Sequence, residues 1–255
     1  MTGWTAVLLA GSRPNGDPLA KAMNASHKAL IPVAGEPMLL RPLRALLGIA
    51  DIREIIVLTQ EPSAIRSTLP KDDRVSVRPS RGTIAETVEE LILDKAVAFP
   101  ILVTTADHAL LSGAMIGEFL DEAEGADLAL GLVERKRLLK RFPDAKRTWV
   151  HLRGGSYSGA NLFALGSKRV LAAIELWRGA EQGRKKGWRI LSILGPRLLI
   201  GGALRLLTVD HIIGTLGRRL HLDARAVEMS DPLAAVDVDK PEDHALVESI
   251  LAERA

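Results

Sequence analysis

Short apolar runs and amphipathic stretches alternate through the first half of the chain. "TAVLLA" (5–10), "EIIVLT" (54–59), "VSVRP" (75–79), "PILVTTA" (100–106) and "ADLALGLV" (126–133) are rich in apolar and β-branched residues and end at turns. Nearly continuous runs of this kind suit strands covered on both faces, as in a parallel sheet. Between them the pattern turns helical, in "PMLLRPLRALLGI" (37–49), "PSAIRSTL" (62–69), "TIAETVEELILDKAV" (83–97) and "AMIGEFLDEAE" (114–124). In the third, Ile84, Val88, Leu91 and Ile92 recur on one face, with Glu86, Glu89 and Glu90 turned elsewhere. Strand–helix alternation predicts βαβ units and an α/β fold, an open, mostly parallel sheet between helical layers.

The rhythm breaks after residue 134. "ERKRLLKRFPDAKR" (134–147) is basic, "TWVHLRGG" and "SGANLFAL" read as a hairpin-like insertion, and two or three amphipathic helices follow from about 167 to 220. "RAVEMSD" (225–231) and "AAVDVDK" (234–240) read as strands. "PEDHALVESILAERA" (241–255) reads as a closing helix, with Pro241 in the first turn where no backbone N–H is needed. One domain results, with a first half (1–133), a middle region (134–224) and a closing strand and helix (225–255).

Composition narrows the function without naming it. With 255 residues and 47% apolar content the chain buries a sizeable core. The balance of 34 basic and 31 acidic side chains leaves +3, too mild to demand a nucleic-acid partner. One Tyr, four Phe and four Trp also supply few stacking platforms for bases, so no nucleic-acid partner is expected. Cysteine is absent, which rules out disulfides, thiolate metal sites and a thiol nucleophile. The opening "MTGWTAVLLAGSRPNG" has no signal-peptide pattern, and the most apolar window, "ILSILGPRLLIGGALRLL" (190–207), is broken by Pro196, Arg197 and Arg205. A cytoplasmic location is therefore expected. The two basic patches, 134–147 and "GRKKGW" (183–188), with the apolar 190–220 segment add one further expectation, a weak contact with an anionic membrane surface.

The segment "LLAGSRPNGDPLAKAMNASHKALIPVAGEPML" (8–39) leaves the first strand through Gly11 and takes about 17 residues to reach Lys28. A glycine directly after a strand lets backbone N–H groups approach an anion closely, and Arg13 and Lys28 supply positive charge for a polyphosphate. A solvated surface loop fits the same spacing equally well. Neither a Walker loop nor a G-x-G-x-x-G fingerprint is present.

"LLAGSR" and "KALIPVAGEPMLL" (28–40) together resemble the signature of the nucleotidyltransferases with the GT-A-type fold, the MobA-like NTP transferase superfamily. That group includes sugar-phosphate nucleotidylyltransferases, the methylerythritol-phosphate cytidylyltransferase and the molybdenum-cofactor guanylyltransferases. Its G-x-G-x-R loop is replaced here by "GSRPNGDP". "RGTIAETV" (81–88) stands where the family opens a helix near the base and ribose. "TTAD" (104–107) matches the metal-binding aspartate that closes the fourth strand. "DVDKPEDHALVE" (237–248) matches the closing motif, whose acidic residue two before the proline is a second metal ligand.

The resemblance implies a three-layer αβα, Rossmann-like sheet with a smaller α+β insertion on the acceptor side. It also implies an enzyme that joins an NTP to a phosphorylated sugar, polyol or alcohol with Mg²⁺, releasing pyrophosphate. CTP is the first expectation and GTP the next; a molybdopterin-type guanylyl or cytidylyl transferase and a non-catalytic nucleotide-binding regulator are the alternatives. Carried over residue by residue, Ala10, Gly11, Ser12, Arg13, Lys28, Gly82, Thr83 and Asp107 line the nucleotide. Lys28 and Arg13 act on its phosphates, and Asp107 and Asp239 hold Mg²⁺.

Several residues keep a second reading. Asp107 also suits a turn after a strand, and Thr83 suits a helix cap with Glu86 three residues on. Asp237 shares a strand face with Asp239 and competes with it as a metal ligand. His108 reads chiefly as a satisfied polar neighbour. The 134–147 stretch reads as a solvated basic helix, as a grip on a phosphorylated acceptor or as a mobile lid over the active site.

Overall fold

The apolar runs form the strands of one sheet in the computed structural model, which describes residues 3–11, 16–143, 145, 147–181, 195, 198 and 200–254. In chain order the strands are β1 (Trp4–Leu9), β2 (Pro32–Val33), β3 (Glu36–Pro37), β4 (Ile52–Thr59), β5 (Val75–Pro79), β6 (Ile101–Thr105), β7 (Leu128–Glu134), β8 (Val150–Leu152), β9 (Gly155–Leu165) and β10 (Ala224–Glu228). The helices are α1 (Pro18–Ala22), α2 (Leu40–Leu47), α3 (Pro62–Arg66), α4 (Ile84–Leu93), α5 (Gly113–Ala123), α6 (Arg135–Arg141), α7 (Leu171–Glu181), α8 (Val209–Leu220) and α9 (Pro241–Ala252). Among the described residues no helix is long and apolar enough to cross a membrane.

The main sheet runs β10-β7-β9-β6-β1-β4-β5, with β8 attached to β9. The pairs β1–β4, β1–β6, β4–β5 and β7–β10 are parallel, and β9 runs antiparallel to both β6 and β7. Along β1, Ala6 and Leu8 enter one core with Leu43, Phe119 and Val247, while Val7 enters the other with Val88, Ile92 and Ile174. A strand with core on both faces has no wet face to mark with polar residues, which explains the unbroken apolar runs.

Three sequence expectations change. The "SGANLFAL" strand belongs to no separate insertion: it is part of the eleven-residue β9, wedged between β6 and β7 in the main sheet. Residues 234–240 are not a strand. Asp231 accepts the Leu233 N–H at 2.9 Å and starts a single 3-10 turn at Pro232–Ala235, after which the chain runs as a loop. Its alternating Val236 and Val238 are buried by packing rather than by a ladder, which imitates a strand in the sequence. In α4, Val88, Leu91 and Ile92 are buried as expected, but Ile84, the first residue after the cap, is 47% exposed.

At the sheet end where β7 begins, Asp127 ties three strands together. Its carboxylate accepts the Ser167 hydroxyl at 2.7 Å and the Asp223 N–H at 2.9 Å, and pairs with Arg169 at 3.2 Å. Burial alone would raise this carboxyl, but the Asp223 N–H, the Ser167 hydroxyl and the Arg169 guanidinium outweigh it and hold the pKa below the ordinary value. A depressed carboxyl adds stability above its unfolded pKa, and that share is lost as pH falls through the folded one. Asp127→Ala is expected to lower stability by about 2 kcal/mol at neutral pH. In denaturant melts the gap to wild type should close on acidification; an unchanged gap would show that the carboxylate charge contributes nothing.

Candidate active site

The carboxyl ends of β1, β4, β5 and β6 lie side by side, as the registers Leu9↔Leu58, Leu9↔Thr105 and Thr59↔Pro79 show. After β1 the chain order runs outward through β4 to β5, then returns to β6 on the other side of β1. Such a reversal opens a crevice at the strand ends, where ligands collect in α/β sheets. Gly11, Gln60, Gly82, Thr83 and Asp107 stand just past those ends.

Lys28 reaches this edge on a rigid clamp. It opens the 3-10 turn Lys28–Leu30, and β2 and β3 then form a hairpin whose turn residues Ala34 and Gly35 have φ of 51° and 80°. Positive φ at both central positions is the demand of a tight two-residue hairpin. The Leu39 N–H donates to the Ala29 carbonyl at 3.0 Å and the Met38 N–H to that of Ile31 at 2.9 Å, while Ile31, Val33, Met38 and Leu39 are wholly buried. The "KALIPVAGEPML" stretch is thus a self-closing brace. Helix α9 grips it from outside: the Ala34 N–H donates to Glu248 at 2.7 Å, and His244 Nε2 lies 2.7 Å from the Pro32 carbonyl.

Asp107 follows β6 by two residues. The Ala106 N–H still donates to the Leu9 carbonyl, and the Asp107 carbonyl accepts the Val238 N–H at 3.0 Å, which draws the 236–240 loop onto the end of β6. At the far end of that loop Asp243 accepts the N–H groups of Asp239 and Lys240 at 3.2 and 3.1 Å. The two acidic residues expected to converge do so on one ammonium: Lys28 Nζ lies 2.6 Å from Asp107 Oδ2 and 2.5 Å from Asp239 Oδ1. Burial works against the Lys28 charge, but Asp107 and Asp239 outweigh it and raise the pKa above the usual lysine value.

Asp237 takes a different part. Its Oδ1 pairs with Arg147, its Oδ2 accepts the Asn161 amide at 2.9 Å, and Arg147 also donates to its carbonyl at 2.9 Å. Burial pushes this carboxyl above its usual range, Arg147 pulls it back, and Asp107 and Asp239 add to the rise. With both oxygens engaged, Asp237 anchors the loop while Asp239 faces Lys28, because a loop, unlike a strand, sends the two side chains to separate partners. Arg147→Met leaves a largely buried carboxylate without its cation, and a stability loss of about 2 kcal/mol is expected. A melting temperature equal to wild type would contradict this.

Several buried polar atoms without a protein partner lie on the stretch of chain around Asp107. Among the described residues they include Thr104 Oγ1, Thr105 Oγ1, Asp107 Oδ1 and both ring nitrogens of His108. His108 is therefore not the satisfied neighbour that its sequence position suggested. Burial lowers its pKa to about 4, against the pull of Asp107 and helped by Arg147, so the imidazole is neutral at neutral pH. Orphaned buried acceptors and donors of this kind are uncommon in folded proteins and mark a place where solvent or ligand completes the bonding.

The remaining expectations divide. Thr83 caps α4 in a capping box, accepting the Glu86 N–H at 3.3 Å while Glu86 accepts the Thr83 N–H at 2.8 Å. Gly82 has φ 75°, in the left-handed region that favours glycine, and a Cβ there would push the Glu86 carboxylate out of its cap. Ala10 is buried and gives its N–H to the Leu58 carbonyl, while Gly11 lies against the Gln60 side chain. Ser12 and Arg13 lie outside the described residues, as does the "GRKKGW" stretch. In the basic 134–147 region, α6 buries Leu138, and Arg147 is turned inward onto Asp237.

Sequence reasoning missed Arg147, Asn161, Gln60 and the His27–Glu61 pair at 3.0 Å. Gln60 alone carried a local signal, a polar residue directly after a strand that ends at the sheet's carboxyl edge.

A mostly parallel α/β sheet with a lysine and two carboxylates at its switch point is the frame of a nucleotidyltransferase. The chain belongs to the MobA-like NTP transferase domain family, which matches residues 6–195. Among solved structures it resembles a hypothetical transferase from Thermus thermophilus at 29% identity and TM-score 0.79, covering 96% of this chain and 100% of that one. It shares its fold, at 12% identity and TM-score 0.62, with 4-diphosphocytidyl-2C-methyl-D-erythritol synthase from Anaerococcus prevotii, over 98% of this chain and 96% of the other. The same identity and TM-score relate it to a CMP:2-keto-3-deoxy-manno-octonic acid synthetase complexed with CTP, over 99% and 100% of the two chains. No curated protein matches the chain by sequence.

Proposed function

We propose that this chain transfers a nucleotidyl group from an NTP, CTP by preference and GTP next, to a phosphorylated sugar, polyol or alcohol. A phosphate oxygen of the acceptor attacks the α-phosphorus, the bond to the pyrophosphate oxygen breaks, and pyrophosphate leaves with its electron pair. The acceptor is already an anionic nucleophile and needs no base. The work left to the protein is to bring two anions together and to stabilise charge on the phosphoryl oxygens.

One observation carries the reading: two carboxylates 132 positions apart, Asp107 and Asp239, meet on the ammonium of Lys28 at the carboxyl ends of the strands. A cytidine nucleotide is favoured because the two fold relatives named above are a diphosphocytidyl-methylerythritol synthase and a CMP-sugar-acid synthetase, the latter complexed with CTP. Lys28 serves the triphosphate, and Gly82 and Thr83 border the nucleoside side of the crevice.

The residues present also fit a divalent cation. Asp107 Oδ1 is buried without a partner, and the two carboxylates offer the hard oxygens that Mg²⁺ prefers. Among the described residues no group of three or more acidic, His or Cys side chains is placed to hold a metal. Two carboxylates suffice for Mg²⁺ when phosphate oxygens and water complete its shell. Held by Asp107 and Asp239, the ion would supply neutralisation of charge on the phosphates.

The test is pyrophosphate release from each of the four NTPs with a panel of phosphorylated acceptors, preceded by thermal shifts with and without Mg²⁺. Stabilisation by one NTP alone names the donor through the linkage of binding to folding. Failure of every NTP to give acceptor-dependent pyrophosphate would overturn the proposal.

A further inference from the structure

The two carboxylates read above as metal ligands already hold a cation that belongs to the chain. Lys28 Nζ stands between them at 2.6 and 2.5 Å, and the lysine is 8% exposed. Mg²⁺ needs its carboxylate oxygens at about 2.0–2.1 Å, and a second positive charge in the same half-buried space is strongly repelled. An ammonium in that position takes Asp107 Oδ2 and Asp239 Oδ1 from a divalent ion and repels it from Asp107 Oδ1, so the two compete for the site. Asp237 offers no alternative seat, since Arg147 and Asn161 occupy both of its oxygens.

We propose that Lys28 is an internal competitor for the metal seat. In the nucleotide-free enzyme it keeps the site closed to free divalent cations. The triphosphate opens the site by drawing the ammonium from the carboxylates to phosphate oxygens, so the metal enters only together with the nucleotide. The inference rests on the proposed function in taking Asp107 and Asp239 as the metal ligands.

The chemistry of the parts supports the exchange. A lysine ammonium sits on four rotatable carbons and moves its charge without moving the backbone. The backbone of Lys28 is meanwhile held by the 3-10 turn and hairpin brace, so only the side chain has to swing. When it leaves, Asp107 and Asp239 lose the ammonium they share, and the field at that point again favours a cation. One residue thereby links nucleotide arrival to metal arrival. It also prevents a metal ion from settling in an empty site, where it would have no phosphate to act on.

The experiment is a Mn²⁺ titration without nucleotide, following the electron paramagnetic resonance signal of the free ion. Wild type, Lys28→Met, Lys28→Gln and the double variant Lys28→Met/Asp107→Asn are compared. Wild type is expected to bind no tighter than about 1 mM. Each single variant should bind at least about tenfold tighter, because a repelling charge is gone and two anions remain. Adding Asp107→Asn should return the affinity to the wild-type level. Single variants that bind no tighter than wild type would overturn the inference, and so would wild-type binding near 10 μM with Lys28 in place. The second result stands even if neither variant folds. None of these readouts requires turnover, so absence of pyrophosphate release would sink the enzymatic reading while leaving the competition between Lys28 and metal measurable.

Discussion

Asp107→Asn is expected to lower turnover about a thousandfold, ~4 kcal/mol of transition-state stabilisation. The substitution keeps the shape of the side chain and removes one charge. That charge sits where the parallel strands end, against Lys28, with one buried oxygen that no described protein group contacts. An uncompensated acceptor there is suited to a cation on the phosphates, and several kcal/mol is the usual weight of such a contact. The fold should persist, because the backbone bonds that hold this turn, from Val238 N–H to the Asp107 carbonyl and from His108 N–H to the Thr105 carbonyl, do not involve the carboxylate. Pyrophosphate release under saturating substrates is the measurement. A rate within tenfold of wild type, in a variant that melts normally, would exclude Asp107 as a metal ligand.

Lys28→Ala is expected to cut turnover at least about a hundredfold while the chain still folds. The 3-10 turn and the hairpin after it are closed by backbone bonds at Ala29, Ile31, Met38 and Leu39 and by buried apolar side chains, so the brace stands without the ammonium. What disappears is the positive charge proposed to face the reacting phosphates. Because the nucleotide gains the ammonium only at the expense of its two carboxylate contacts, ground-state binding changes little and the loss should fall mainly on kcat rather than on KM. Near-normal turnover would remove Lys28 from the site. Lys28 and Asp107 therefore respond alike in rate, yet loss of Lys28 should strengthen metal binding and loss of Asp107 should weaken it.

Much of the candidate site was legible because it is built from local features. The "KALIPVAGEPML" stretch needs its buried apolar positions and its two positive-φ residues wherever it occurs, so the pattern survives in the sequence. Asp107 stood out as a charge placed directly after a buried strand. Asp239 was distinguished from Asp237 only by its spacing from Pro241, and the reason that Asp237 is different, its engagement by Arg147 and Asn161, had no local trace. Those partners lie 90 and 76 positions away. Arg147 belonged to a basic stretch whose composition suggested solvent or a phosphorylated acceptor. Its guanidinium instead sits inside, where a buried carboxylate requires it.

The sequence by itself determined the five main-sheet strands and four of the helices in the first half, though not α1, β2 or β3, and with them that the sheet is covered on both faces and which charges end the strands. These follow from hydrophobic periodicity and turn chemistry, which depend on neighbours along the chain. Only the tertiary structure decided that β9 slots antiparallel between β6 and β7, that residues 234–240 finish a 3-10 turn and then run as a loop, and that Lys28, Asp107 and Asp239 share one point in space. Strand order and long-range side-chain pairing are set by how whole layers pack, and no window of local sequence contains that information.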